Sequence, residues 1–395
     1  MIKNGWGIFM ADKKDRKMRN RKNRRMTAAV AVAVSVSMLS VLILSGCSSA
    51  KKETDSQKKA QTAAETEAAS GTQDGAEAQA GTEAKEPAVS AETTLILANA
   101  APVSEINHMY QYCLKFKELV EEKSDGRIGI EIHPNGELGG ERDLVEGVQL
   151  GTVDMCFVAS APLGNFVPDT MAFDFPFLFR DFDHVEKVMG GEIGDDIAAQ
   201  IESKAGVKFL SWGVNGFRHF CNNVKPVRSP EDMKGMKIRT MENKIHMETF
   251  SALGTDPTPM GTGELYTALQ QGTVDGMEGP LTWILPSKYN EVQKYLSLTG
   301  HFYAPSAALM NQKKFGSLPE EDRKLLEECA KEAESYQLQF CIDIDKKMAA
   351  EAAEAGMEVI PQSELDMEAF YQSVQSVYDA HQEYKEILDK IKNVK

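Results

Sequence analysis

Apolar positions along this chain fall into two alternating rhythms from Leu95 onward. Leu95–Asn99 (LILAN) is a short apolar run, which predicts a strand. Glu105–Lys123 carries Tyr112, Phe116 and Leu119 at the three-to-four spacing of one helix face, and Ile128–Ile132 returns to strand-like alternation. Gly140–Leu150 reads as a helix and Asp154–Ala159 (DMCFVA) as a buried strand. Much farther on, Leu325, Cys329, Ala333, Tyr336, Phe340, Ile344 and Met348 recur every three or four residues until Gly356. That spacing predicts a single helix of more than thirty residues, long for a globular protein. Ser317-Leu318-Pro319-Glu320 opens it with a capping serine, an early proline and an acidic first turn. A last helix is expected over Glu364–Lys392.

The chain also echoes itself. Gln149-Leu150-Gly151-Thr152-Val153-Asp154 recurs as Gln270-Gln271-Gly272-Thr273-Val274-Asp275. In each copy a helix should stop at the glycine, which tolerates a left-handed cap, and a strand should begin at Val-Asp. The offset is too long for a solenoid repeat, and two similarly built α/β lobes explain it better. About 300 residues are enough for both.

The first hundred residues have a different character. A basic stretch from Lys13 to Arg25 leads into an apolar run, Thr27 to Leu44, and then into Leu44-Ser45-Gly46-Cys47. This is the layout of a secretory signal, and the small residues before Cys47 resemble a bacterial lipobox, which implies a lipidated Cys47 at the mature N-terminus. The other reading is an uncleaved membrane anchor, since the apolar run approaches spanning length. From Ser48 to about Ser90 the composition is Ala, Glu, Thr, Gln, Gly and Lys, which predicts a disordered tether.

Charge separates the two parts. The first 46 residues carry five Lys, five Arg and two Asp, so removing that +8 from the chain's −15 leaves −23 on the mature protein. So acidic a surface argues against nucleic acid and anionic lipid as partners. Beyond Cys47, the five cysteines Cys113, Cys156, Cys221, Cys329 and Cys341 form no CxxC and no zinc-spaced cluster. They read as buried thiols, and neither a metal nor a cofactor is expected. No GxSxG elbow, Walker A loop, HExxH or dinucleotide fingerprint occurs, so no enzyme activity is expected.

The densest chemistry lies in Met236–Pro280. A short strand there delivers Arg239, whose planar guanidinium offers a fork of donors that matches a carboxylate. A solvated surface arginine is the bland alternative. The ordered segments DMKGMKIR, ALGTDPTPM, ELYTALQQGTVDG and SLPEE together resemble the DctP-type solute-binding proteins of TRAP (tripartite ATP-independent periplasmic) transporters. The likeness runs from Leu95 to about Tyr384.

The resemblance implies a two-lobed α/β fold of the periplasmic-binding-protein type, class II, with a long helix bridging both lobes. It divides the chain into a signal peptide (1–46), a tether (47–92), lobe I (93–216 with 304–345) and lobe II (217–303 with 346–395). It implies that Arg239 clamps the carboxylate of a small organic acid. Arg218 matches a second anion-holding arginine, with an ion pair to a local carboxylate as its other reading. Glu278 is expected either to accept from a ligand hydroxyl or to lock Arg239 in orientation. Gly279 stands where the family commonly has asparagine, which removes a donor and widens the site unless Trp283 fills it. Asn99, His108 and Ser160 are further cleft candidates, each equally readable as a structural hydrogen-bonding group. The implied ligand is a dicarboxylate, aldonate or uronate, and the implied partners are the membrane permease subunits together with a lipid anchor. A ligand sensor of the same fold, coupled to a membrane signalling protein, is the alternative.

Overall fold

The computed structural model describes residues 91–395. The signal segment, Cys47 and nearly all of the tether lie outside the described residues.

The elements used below are β1 (Thr93–Ala98), α1 (His108–Lys123), β2 (Ile128–His133), α2 (Glu141–Leu150), β3 (Met155–Ala159), β4 (Val207–Asn222), β5 (Lys237–Thr240), α3 (Lys244–Ala252), β6 (Asp256–Pro259), α4 (Thr262–Gln270), β7 (Gly276–Gly279), β8 (Tyr295–Asn311), α5 (Glu320–Glu354), β9 (Glu358–Ile360), α6 (Met367–Ala380) and α7 (Lys385–Asn393). The strands form one sheet in the order β2-β1-β3-β8-β4-β7-β5-β6, with β9 beside β8. Two parallel trios, β2-β1-β3 and β7-β5-β6, flank an antiparallel pair, β8 and β4.

That central pair runs through both lobes. β4 has 16 residues and β8 has 17, which at roughly 3.3 Å per residue gives a span of about 50 Å. Midway the register breaks: Val214 faces Pro305, but the next paired residues are Phe217 and Tyr303. The two residues left over are Asn215 and Gly216, and Gly216 has φ +91°, a conformation that favours glycine. The bulge bends β4 midway along the pair.

The internal echo is realised twice in atomic detail. Gly151 and Gly272 sit at φ +81° and +68° after their helices. Asp154 then accepts the Ile96 amide at 2.9 Å, and Asp275 accepts the Lys237 amide at 2.8 Å. Each aspartate thus ties its own strand to the neighbouring parallel strand. Burial follows the same logic: all five residues of β3 are buried, as expected of a strand covered on both faces.

Three boundaries differ from the sequence expectation. Helix α1 starts at His108 because the Asn107 side chain accepts the Tyr110 amide and closes the first turn. Ser317 does not cap α5: its hydroxyl donates to the Lys314 carbonyl, and Pro319 occupies the capping position. The expected last helix is two helices. His381 leaves helical geometry at φ −121°, ψ 60°, and its ring is tied to Glu383 and Glu248. Helix α7, placed with lobe II by the sequence division, seats Leu388 and Ile391 among Val185, Val188 and Ile197 of lobe I.

Helix α5 has 35 residues, about 52 Å at 1.5 Å per residue. Its buried face is Asp322, Leu326, Cys329, Ala330, Ala333, Gln337, Cys341, Met348 and Ala352. Small residues dominate, so the helix lies close against α1 and β4. Tyr336, expected in the stripe, is 40% exposed. All five described cysteines are buried thiols.

Candidate functional site

Strand β5 is short and parallel to both neighbours, with Arg239 beside Thr258 of β6 and Met277 of β7. Ile238 points into the lobe II core, so Arg239 points the other way, toward the junction of the lobes. The residue is 4% exposed. The Nε donates to the Met260 carbonyl at 2.9 Å, which fixes the plane of the group. Its two terminal nitrogens have no hydrogen-bond partner among the described residues, and Arg239 lines a cavity. Burial lowers the guanidinium pKa, with Glu278 and Tyr289 opposing.

Arg218 is differently placed. It follows the Asn215–Gly216 bulge on β4, and β4 pairs with β7 so that Phe220 faces Glu278. The Arg218 Nε donates to Glu278 Oε2 at 2.5 Å, and one terminal nitrogen donates to Oε1 at 2.8 Å and to the Glu278 carbonyl at 3.1 Å. This is a bidentate, charge-assisted pair, buried on both sides. Burial works to raise the Glu278 pKa, but Arg218 dominates and holds the carboxyl well below its usual range. His301 adds to this from 3.5 Å. Of the two roles expected for Glu278, locking Arg239 is corrected: its partner is Arg218. The non-local pairing of β4 with β7 decides this.

The cavity measures about 20 Å³ and lies between the lobes, room for about one water. Of the eight residues named from the sequence, Arg218, Arg239, Glu278 and Trp283 line it. Met277 and Trp283 form an apolar wall. Gly279 does not line the cavity or widen it. A Cβ there would stand 3.4 Å from Met277 Cε and 3.9 Å from an Arg218 terminal nitrogen, so that position abuts the Arg218 pair instead.

Asn99, His108 and Ser160 are not among the lining residues. Asn99 accepts the Ala101 amide and donates to Cys113 Sγ. Ser160 is fully buried at the start of the short helix Ser160–Leu163, and its hydroxyl has no partner among the described residues. His108 links three elements: its Nε2 meets Asn215 Oδ1 at 2.9 Å and its Nδ1 meets Thr282 Oγ1 at 2.7 Å. Burial lowers its pKa to about 4. The ring is therefore neutral at pH 7, with Nε2 donating and Nδ1 accepting. Gln337 of α5 braces the same spot, donating to the His108 and Val214 carbonyls and accepting the Val214 amide at 2.7 Å.

Sequence reasoning missed three polar lining residues, Asn215, Glu141 and Thr262. Asn215 commits Oδ1 to His108, while its amide nitrogen has no partner among the described residues. Glu141, the first residue of α2, accepts the Ala159 amide through Oε1 at 2.8 Å and lines the cavity from lobe I. Burial raises its pKa, while the Ala159 amide, Arg239 and Arg218 restrain the rise. Asn215 sits three residues before Arg218, and the glycine beside it marks the bulge. Nothing local distinguishes Glu141 from the other acidic residues of a chain with 59 of them.

Comparison with known proteins fits this geometry. Residues 99–385 match the family described as bacterial extracellular solute-binding protein, family 7. The chain is 38% identical over 256 residues to the 2,3-diketo-L-gulonate-binding periplasmic protein YiaO of Escherichia coli K12, covering 65% of this chain and 77% of YiaO. Among solved structures, a TRAP periplasmic solute-binding protein from Polaromonas sp. JS666, bound to D-erythronate, superposes with a TM-score of 0.74 at 39% identity, covering 77% of this chain and 99% of that one. One from Roseobacter denitrificans with bound L-galactonate gives 0.72 at 31% identity, covering 77% and 99%.

Proposed function

Because the chain belongs to family 7 of the bacterial extracellular solute-binding proteins, the DctP family of transport receptors, we propose that it is the extracytoplasmic receptor of a TRAP transporter that captures a small organic acid between its lobes. The observation that carries this is Arg239: a buried arginine held through Nε, its terminal nitrogens without a partner among the described residues, on the wall of the interlobe cavity. The erythronate and galactonate held by its structural neighbours, and the diketogulonate of YiaO, support an acid of four to six carbons.

Binding begins with the lobes apart, since about 20 Å³ admits no such acid. The ligand carboxylate then meets Arg239 in bidentate fashion, and the lobes close by bending at the Asn215–Gly216 bulge. Removing a carboxylate from water is costly, and the two parallel hydrogen bonds offset that cost. Micromolar capture requires about −8 kcal/mol net. The Arg218–Glu278 pair keeps Arg218 in place and its charge balanced. The closed, loaded form is delivered to the small and large membrane permease subunits for ion-coupled uptake.

The anchoring part of the reading rests on the sequence around Cys47. A lipid on Cys47 would hold the receptor to the outer face of the cell membrane through the tether, at a Gram-positive surface or in a periplasm. Mass spectrometry of the cell-derived protein tests it, since a Cys47→Ala chain must lose both the acyl mass and the membrane fraction.

The central test is calorimetric titration of the chain, stripped of carried-over ligand by unfolding and refolding, against D-erythronate, L-galactonate, D-glucuronate and succinate. Saturable binding of at least one acid, lost in Arg239→Ala with folding intact, supports the receptor. Binding that survives Arg239→Ala unchanged refutes the clamp.

A further inference from the structure

The charges around the cavity balance before any ligand arrives. Arg218 and Arg239 contribute two positive groups, and Glu141 and Glu278 contribute two negative ones. Arg218 and Glu278 neutralise each other in a closed bidentate pair. Arg239 and Glu141 face the same space from opposite lobes: β5 carries the arginine in lobe II, and the first turn of α2 carries the glutamate in lobe I. Glu141 sits at a helix start, where a negative charge is favoured, and the Ala159 amide donates to its Oε1. Its second oxygen has no hydrogen-bond partner among the described residues.

Resting on the carboxylate-receptor reading above, we infer that Glu141 makes this site selective for a polyhydroxylated monocarboxylic acid and against a dicarboxylic acid. A monocarboxylate places its single charge on Arg239 and leaves the far end of the ligand neutral. A second carboxylate at that far end has no unpaired cation to meet among the lining residues. It lies instead in the field of Glu141, in a space with little water, where like charges repel most strongly. A hydroxyl at the same place has the opposite fate. It donates to the free oxygen of Glu141 and accepts from the Asn215 amide nitrogen, which has no partner among the described residues. Thr262, also lining the cavity, supplies a further hydroxyl. The discrimination thus has an attractive part for hydroxyls and a repulsive part for a second anion, the combination that specificity requires.

D-Erythronate and succinate make the test, since both are four-carbon acids and differ at the far end and in hydroxylation. Calorimetric titration of the full chain should give D-erythronate a dissociation constant lower than that of succinate by about tenfold or more. Glu141→Gln keeps an oxygen to accept the Ala159 amide but removes the charge. In it the ratio should fall by at least about threefold, chiefly through tighter succinate binding. Glu141→Ala, should the glutamine variant misfold, must shift the ratio in the same direction. Succinate bound as tightly as erythronate by the unaltered chain overturns the inference and leaves the receptor reading standing. A ratio unmoved by either folded variant also overturns it. Failure of every acid to bind the unaltered chain removes the receptor reading and this inference together.

Discussion

Arg218 and Glu278 hold each other by two side-chain hydrogen bonds of 2.5 and 2.8 Å, and this pairing divides the labour between two buried arginines. Arg218 is charge-balanced by Glu278, with its Nε and one terminal nitrogen bonded. Arg239, whose Nε alone is bonded, keeps its terminal donors for something else. The two residues therefore contribute to stability and to binding in opposite proportions.

Glu278→Gln should be strongly destabilising, because it leaves the Arg218 charge buried without its counter-ion. The expected loss is about 3–5 kcal/mol, read as a lower urea midpoint with an unchanged slope. Arg239→Met removes a buried cation that has no ion-pair partner, so the ligand-free variant should unfold at the same urea concentration as the parent or a higher one. If the two substitutions cost the same stability, the division of roles is wrong.

Stability should fall as the solution is acidified from pH 6.5 to pH 4. His108 has a folded pKa of about 4, below its unfolded value near 6.5. The unfolded chain therefore binds the extra proton first, and the loss begins near 6.5 and is complete near 4. Linkage puts it at about 3 kcal/mol for this one ring. His219, lowered by burial to about 3, acts in the same direction and extends the loss to lower pH. The Glu278 contribution has the opposite origin: its depressed pKa stabilises above the usual carboxylate range and is lost below it. Urea unfolding at pH 7, 5.5 and 4.5 should show a shallower decline in His108→Gln than in the parent.

Gln337 holds the long helix to the crossover by three hydrogen bonds. Gln337→Met preserves volume but leaves the buried Val214 amide without its acceptor and takes a donor from the Val214 and His108 carbonyls. A loss of about 2 kcal/mol or more is expected, measurable by chemical denaturation. A change under about 0.5 kcal/mol would mean the helix is held by packing alone.

Trp283 lines the cavity, whereas Trp212 packs in the lobe I core against Phe173 and Phe209. Ligand binding should therefore alter the intrinsic fluorescence, and the alteration should vanish in Trp283→Phe while calorimetric binding persists. A signal that survives the substitution would place the responding indole elsewhere.

Much of the architecture was legible from the apolar pattern, because strands and helices that alternate also bury alternately. The echoed Gly-Thr-Val-Asp was a sound guide to two similar lobes, since both aspartates accept an amide from the neighbouring parallel strand. The place of Arg239 on a short strand was legible because it closes the segment DMKGMKIR, one of those that carry the family likeness. Legibility failed where partners are distant in sequence. Glu278 meets Arg218 across 60 residues because β4 and β7 adopt one register and not another. His108, Asn215 and Thr282 are joined through a crossover whose geometry no local pattern encodes. Glu141 was hidden by abundance: in an acidic chain a functional carboxylate looks like any other. The break at His381 was missed because its cause is an interaction with Glu248, far upstream.

The two strands that traverse both lobes also constrain how this protein can be dissected. Neither lobe can be excised as a working fragment, because a cut through β4 or β8 leaves half a ribbon hanging from each piece and exposes a raw edge on both. Thermal melting should accordingly appear as one event without a plateau. A gene encoding only one lobe should yield insoluble product, whereas reordering the chain's ends through a surface loop keeps both ribbons whole and stands a better chance of success.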